Sequence, residues 1–163
     1  MPYRQSPDWE AQITDLRPVP HSFEAEEQVL ASVLCGDPDA WKVAKRMLQP
    51  ADFYRDRHQF IFSAMLRVAK THGVNQITVA HDLALQGKDL LQACGGEAYL
   101  SMLIANMMSS VFIEDYCWVV KDCSERRAKL GKAKELQDEA RQPSKENSKP
   151  KGGVRLIQAP HNE

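Results

Sequence analysis

The side chains best equipped for chemistry are the histidines and cysteines, and their spacing assembles little. His81 and Asp82 are neighbours in the chain. On a helix, adjacent side chains point about 100° apart, so the two are poorly placed to share one metal ion. No His-x-x-x-His or His-Glu-x-x-His pair occurs. His58 lies one turn before Ile61 and Phe62 in an apolar helical pattern. It is expected to be a hydrogen-bonded core or boundary histidine, not a ligand. Cys35, Cys94, Cys117 and Cys123 show no Cys-x-x-Cys spacing. They are expected to be four reduced thiols acting as small apolar residues. The chain holds no Gly-x-Ser-x-Gly elbow and no Gly-x-x-x-x-Gly-Lys-[Ser/Thr] loop. Gly95-Gly96 precedes a helix but lacks the polar cradle of a phosphate site, and reads as a helix stop and start. No catalytic residue, cofactor site or metal site is therefore expected. An enzyme would need a Cys/His or His/Asp site brought together only by the fold.

The other chemically suggestive feature is the basic run Arg126, Arg127, Lys129, Lys132 and Lys134. Such residues can neutralise phosphates and give sequence-blind, salt-sensitive binding to nucleic acid. Asp122, Glu125, Glu135, Asp138 and Glu139 surround them, and the net charge of the chain is -1. A solvated or protein-facing helix with i,i+4 ion pairs, such as Glu125–Lys129, accounts for the same residues. Contact with DNA through Arg126, Lys129, Lys132 and Lys134 is the alternative.

These residues are carried by a series of helices. Ser22 is a plausible cap for a helix over about 23–34, with Glu24, Glu26 and Glu27 in its acid-favouring first turn and Gly36 behind its end. Asp37 caps a second helix with Pro38 at its first position, and Pro50 ends it. Phe53 and Tyr54 are expected to plug the core. A third helix spans about 55–71, with Ile61, Ala64, Met65 and Val68 on one face. Thr78 is expected to cap a short fourth helix over 79–86. A fifth runs from about 97 to 106 with Tyr99, Leu100, Leu103 and Ile104 inward. From Phe112 to about Arg141 there is no proline, and Gly131 is the single glycine. One long helix is expected, apolar on one side at first and mostly charged later. A helix that polar is rarely stable alone and calls for a partner.

Residues 1–19 read as a flexible N-terminal arm, 20–110 as a helical head, 111–141 as a long C-terminal helix, and 142–163 as a disordered polar tail carrying the short apolar patch Val154–Pro160. At 163 residues, 43% hydrophobic and 26% charged, this is one globular domain plus tails. No leader pattern and no run of roughly 18 apolar residues is seen, so a cytoplasmic protein is expected.

Several short motifs, in order, point to a family. They are Pro20-x-Ser22-x-Glu24-Ala25-Glu26-x-x-Val29-Leu30, Asp37-Pro38-x-Ala40-Trp41, Asp52-Phe53-Tyr54 with His58 and Ile61-Phe62, Thr78-Val79-Ala80, Gly95-Gly96-x-Ala98-Tyr99-Leu100, and Glu114-x-Tyr116 leading into a basic helix. Over about 18–127 the chain resembles the N-terminal domain of DnaB-type replicative DNA helicases. That resemblance implies an all-α fold: a small orthogonal helical bundle with a long, protruding C-terminal helix, half of a helical hairpin. It also implies a non-catalytic role in DNA replication, in helicase oligomerisation, primosome assembly, and primase or loader binding. The family as a whole is ATP-dependent, but no motor motif lies in this sequence. The polar stretch Pro143–Gly153 stands where a second hairpin helix would begin, and Asn106–Phe112 replaces a polar, proline-containing turn. The expected partners are helicase subunits or primase, with self-association a further expectation and no membrane or small-molecule substrate. Tyr116, Val120, Arg127 and Leu130 are expected to meet a partner helix. The alternatives are a nucleic-acid-binding accessory protein and a fragment of a full helicase.

Overall fold

The computed structural model describes residues 18–141. Residues 1–17 of the expected arm, and the tail at 142–163 with its apolar patch, lie outside the described residues. The chain forms two units, Met1–Leu130 and Gly131–Glu163. The described residues hold seven α-helices and two 3-10 turns, with no strand.

Helix α1 spans Phe23–Leu34. Ser22 Oγ accepts the Ala25 N–H at 3.2 Å, giving the helix a side-chain cap. Val29, Leu30, Val33 and Leu34 form one apolar face in the sequence, but Ala25, Glu26 and every residue from Gln28 to Leu34 are buried. A helix covered all round is a central element, and α1 touches α2 (Pro38–Met47), α3 (Asp56–Val68) and α6 (Gly96–Ala105). Its buried amide, Gln28, and buried hydroxyl, Ser32, are both satisfied. Gln28 donates to Asn106 O at 3.1 Å and accepts from Met108 N–H at 2.9 Å, which fixes the turn after α6. Ser32 donates to Gln28 O at 2.8 Å.

Helix α2 begins as its sequence dictates. Asp37 Oδ1 accepts from Asp39 N–H at 2.9 Å and Ala40 N–H at 3.2 Å, and Pro38 fills the first turn. Hydrogen bonds from Ala40 N–H and then from Ser110 hold the Asp37 carboxyl below the usual aspartate range. The sign is that of a depressed acid. Its stabilisation is fully present above the unfolded pKa and is lost as pH falls through the lower folded value. Asp37→Ala should cost about 1 kcal/mol in urea unfolding near neutral pH. That difference should shrink as pH falls below about 4.

Three boundaries differ from expectation. Helix α3 is shorter than 55–71. It ends at Val68, and Ala69–His72 close it through turn bonds such as His72 N–H to Val68 O at 2.9 Å. Helix α4 starts at Gln76, capped by Asn75 rather than Thr78. Asn75 Oδ1 accepts from Ile77 and Thr78 N–H, while Thr78 Oγ1 accepts from Asn75 N–H at 3.1 Å, a reciprocal capping box. A six-residue helix, α5 (Lys88–Ala93), occupies what the sequence left as a connection. One and a half turns are too few for an apolar period to show. Gly95, at φ 96°, then turns the chain into α6, and a Cβ there would lie 2.7 Å from Tyr99 Cβ. Only glycine fits that left-handed approach.

The core joins Val29, Leu30, Val33 and Leu34 of α1 to Phe53, Ile61, Phe62 and Met65 and to Leu83, Leu100 and Leu103. Trp41 is half-buried, with its ring 5.9 Å from Phe62. Phe53 plugs the core as expected, at 1% exposure. Tyr54 does not: it is 38% exposed and stacks on His21 at 4.7 Å. In an extended connection, consecutive side chains leave on opposite sides, so only one of the pair can face inward.

Candidate protein-interaction surface

Helix α7, Ile113–Arg141, carries the residues expected to meet a partner. Its first turns are fastened to the head. Ile113, Cys117 and Val120 recur at i, i+4 and i+7 and are buried. Burial raises the Cys117 thiol to about 12, with Glu114 adding to the shift. That thiol is therefore a packing group and not a nucleophile at neutral pH.

Polar clamps continue the attachment. Asp52, 2% exposed, accepts from Gln49 N–H at 2.9 Å, Lys121 Nζ at 3.1 Å and Ser124 Oγ at 2.8 Å. Arg127 donates to Pro20 O at 2.9 Å and to Asp52 O, and its guanidinium lies 5.6 Å from the Tyr54 ring centre. A second buried network braces the connection from behind. His58 is fully buried and bonds through Nδ1 to Glu26 Oε2 at 2.6 Å and through Nε2 to the Tyr99 hydroxyl at 2.7 Å. Glu26 Oε1 accepts from Tyr54 N–H at 2.7 Å. Burial, then the Glu27 charge, pushes the Tyr99 phenol up, so it remains a hydroxyl donor. His58 thus ties α1, α3 and α6 together.

The four residues singled out for a partner are therefore not one exposed face. Val120 is 1% exposed and points into the head's own core. The apolar half of α7 is satisfied there, because burying its stripe against the head leaves nothing for a partner on that side. Tyr116 is half-buried against the same core, and Arg127 is spent on two main-chain carbonyls. Leu130 is exposed, at 56%. Of the candidate nucleic-acid residues, Arg126 pairs with Asp122 at 2.9 Å, and Lys129, Lys132 and Lys134 are exposed.

Sequence reasoning passed over a different set. Met108, Val111, Phe112 and Trp118 are exposed apolar residues around the start of α7, with Trp118 at 64%. Trp118 lies off the Ile113–Cys117–Val120 stripe, which is the signal that would have found it. In the second unit, Gly131–Arg141 is helical and exposed throughout, and Leu136 is 66% exposed. Among the described residues no group of His, Cys, Asp or Glu could hold a metal ion. No single helix among them is long and apolar enough to cross a membrane.

Comparison with known proteins identifies the class of this capped helical head and its long, partly anchored helix. Residues 18–122 match the family described as the DnaB-like helicase N terminal domain, and the chain belongs to that family. It is 42% identical over 106 residues to the replicative DNA helicase DnaB of Geobacillus stearothermophilus, covering 64% of this chain and 23% of the relative. It is 36% identical over 116 residues to the replicative DNA helicase DnaC of Bacillus subtilis, covering 69% of this chain and 25% of the relative. The matched stretch therefore spans about a quarter of each of these curated relatives. The crystal structure of the N-terminal domain of DnaB helicase from Mycobacterium tuberculosis superposes with a TM-score of 0.71 at 27% identity, over 76% of this chain and 86% of that one. A structure of the N-terminal domain of DnaB helicase from Helicobacter pylori, described with its interactions with primase, shares the fold at TM-score 0.58 and 17% identity, over 83% of this chain and all of that one.

Proposed function

We propose that this chain is a non-catalytic binding and assembly module of a DnaB-type replicative helicase, acting in the cytoplasm during primosome assembly. It pairs with a helicase subunit through the exposed side of α7, and the head so presented docks primase or a loader. Contact with DNA is weak or indirect. In this reading the chain divides into an arm (1–19), a head (20–110), a long helix (111–141) and a tail (142–163).

One observation carries the pairing. The exposed large apolar residues from Phe112 onward mirror one another about Ser124: Trp118 and Leu130 lie six residues either side, Phe112 and Leu136 twelve. Two charge pairs mirror with opposite sign, Asp122 against Arg126 and Glu114 against Lys134, whereas Lys121 and Arg127 mirror with like sign but are engaged by the head. Two such helices laid antiparallel about Ser124 set Trp118 against Leu130 and Asp122 against Arg126. That is the self-complementarity a two-fold contact requires. Asp122–Arg126 and Arg46–Glu114 are largely exposed ion pairs within the chain, so exchanging partners costs little.

Every contact occurs twice. Losing roughly 1.5 kcal/mol at each of two sites weakens pairing about a hundredfold. Trp118→Asp should therefore turn a sedimenting dimer into a monomer while leaving thermal unfolding nearly unchanged. Wild-type monomer at tens of micromolar, with no capture of a DnaB-type helicase or its primase, would reject the proposal.

A further inference from the structure

The N-terminal stretch outside the described residues carries helix signals of its own. Ser6 stands where a cap belongs, Pro7 at the first helical position, and Asp8 and Glu10 in the first turn. Arg17 falls in the last turn, and Pro18 stops the run. Between them Trp9, Ile13 and Leu16 recur at i, i+4 and i+7. A helix of three turns is marginal alone in water, so such a segment needs an apolar surface to hold it.

Helix α7 offers one that the head only half fills. Phe112, Tyr116, Val119 and Cys123 recur at i, i+4, i+7 and i+11. At about 100° per residue, this row lies a quarter-turn round from the buried Ile113–Cys117–Val120 row. Tyr116, Val119 and Cys123 are half-buried, and Phe112 is 54% exposed. Among the described residues, the head covers one flank of the row and leaves the other open. Trp118 points about 130° the other way.

The structure also fixes where the arm meets this helix. Arg127 donates to Pro20 O at 2.9 Å, and the His21 ring stacks on Tyr54. The chain therefore passes α7 at Arg127, one turn beyond Cys123. Counting back from Pro20, Leu16, Ile13 and Trp9 lie at four, seven and eleven residues. Counting back from Arg127, Cys123, Val119 and Tyr116 lie at four, eight and eleven. The two rows match in spacing and in length, about 10 Å each if both are helical.

We infer that residues 7–17 fold as a helix parallel to α7 and cover this row, with Leu16 over Cys123, Ile13 over Val119, and Trp9 against Tyr116 and Phe112. Apolar residues at a four-three spacing on one helix then pack between those at the same spacing on the other. The arm is thus a companion helix supplied by the chain itself. It leaves Trp118 and Leu130 uncovered, so it does not depend on the pairing proposed above.

The test reads Cys123 in the full chain carrying Cys35→Ser, where the other two thiols, Cys94 and Cys117, are buried. Maleimide labelling of Cys123 should be slow. Ile13→Asp should speed it at least tenfold while Cys94 and Cys117 stay unlabelled, which reports an intact head. Trp118→Asp should leave it slow. As a second measurement, Leu16→Cys in the same background should close an intrachain disulfide with Cys123 on mild oxidation, and Thr14→Cys, off the arm's apolar row, should not. Equal labelling of Cys123 with and without Ile13→Asp would overturn the assignment. So would equal cross-linking from Leu16→Cys and Thr14→Cys, or shielding lost in Trp118→Asp, which would make the cover a second copy of the chain.

Discussion

Replacing His58 with alanine is expected to destabilise the head by about 3–5 kcal/mol, as loss of one partner of a buried ionisable pair does. The ring is fully buried, and both nitrogens are in use, one on Glu26 and the other on Tyr99. Its removal leaves a cavity, a carboxyl oxygen buried at α1 and a phenol, each short of a partner. Relief by water is limited, because Glu26 is itself 1% exposed. Urea unfolding at neutral pH measures the loss. Tyr99→Phe removes a single hydroxyl and should cost less than half as much. A His58→Ala variant within 1 kcal/mol of wild type would show that the network does not brace α1, α3 and α6.

The second large effect separates two adjacent aromatics. Phe53→Ala should cost about 3–5 kcal/mol, and Tyr54→Ala about 1 kcal/mol or less. Phe53 is 1% exposed and packs its ring 5.0 Å from Phe62. Tyr54 is on the surface, where its ring contributes a stack on His21 and a face for Arg127. Its backbone N–H, which Glu26 accepts, survives the substitution. Both variants can be read from one set of denaturation curves. Equal losses would mean that Tyr54 is as deeply packed as the sequence alone suggests.

Much of the head could be read directly from the chain because its signals are local. Ser22, Asp37 and Pro38 mark helix starts through their own side chains, and those starts fall where the sequence put them. Asn75 and Thr78 compete for the same cap, and the structure uses both, which sequence order alone does not decide. Helix α5 is too short to show a period, and Gly87 and Gly95 conceal it. His58 was legible as a satisfied core histidine, but its partners Glu26 and Tyr99, 32 and 41 residues away, come only with the fold. The partner surface was the hardest part. An apolar stripe says that something covers it, and not whether the cover is another molecule or the chain's own head. For Val120 it is the head, whereas Trp118 stays 64% exposed.

The pairing of α7 is tested most directly by its register. In a Cys35→Ser, Cys123→Ser background, a chain carrying both Trp118→Cys and Leu130→Cys should form an intermolecular disulfide on mild oxidation. The two positions are about 18 Å apart along one helix, too far to close within a chain. The account predicts a covalent dimer from this variant and none from Trp118→Cys combined with Ala140→Cys, ten residues out of register. Equal cross-linking of the two variants, or none from either at tens of micromolar, would contradict it.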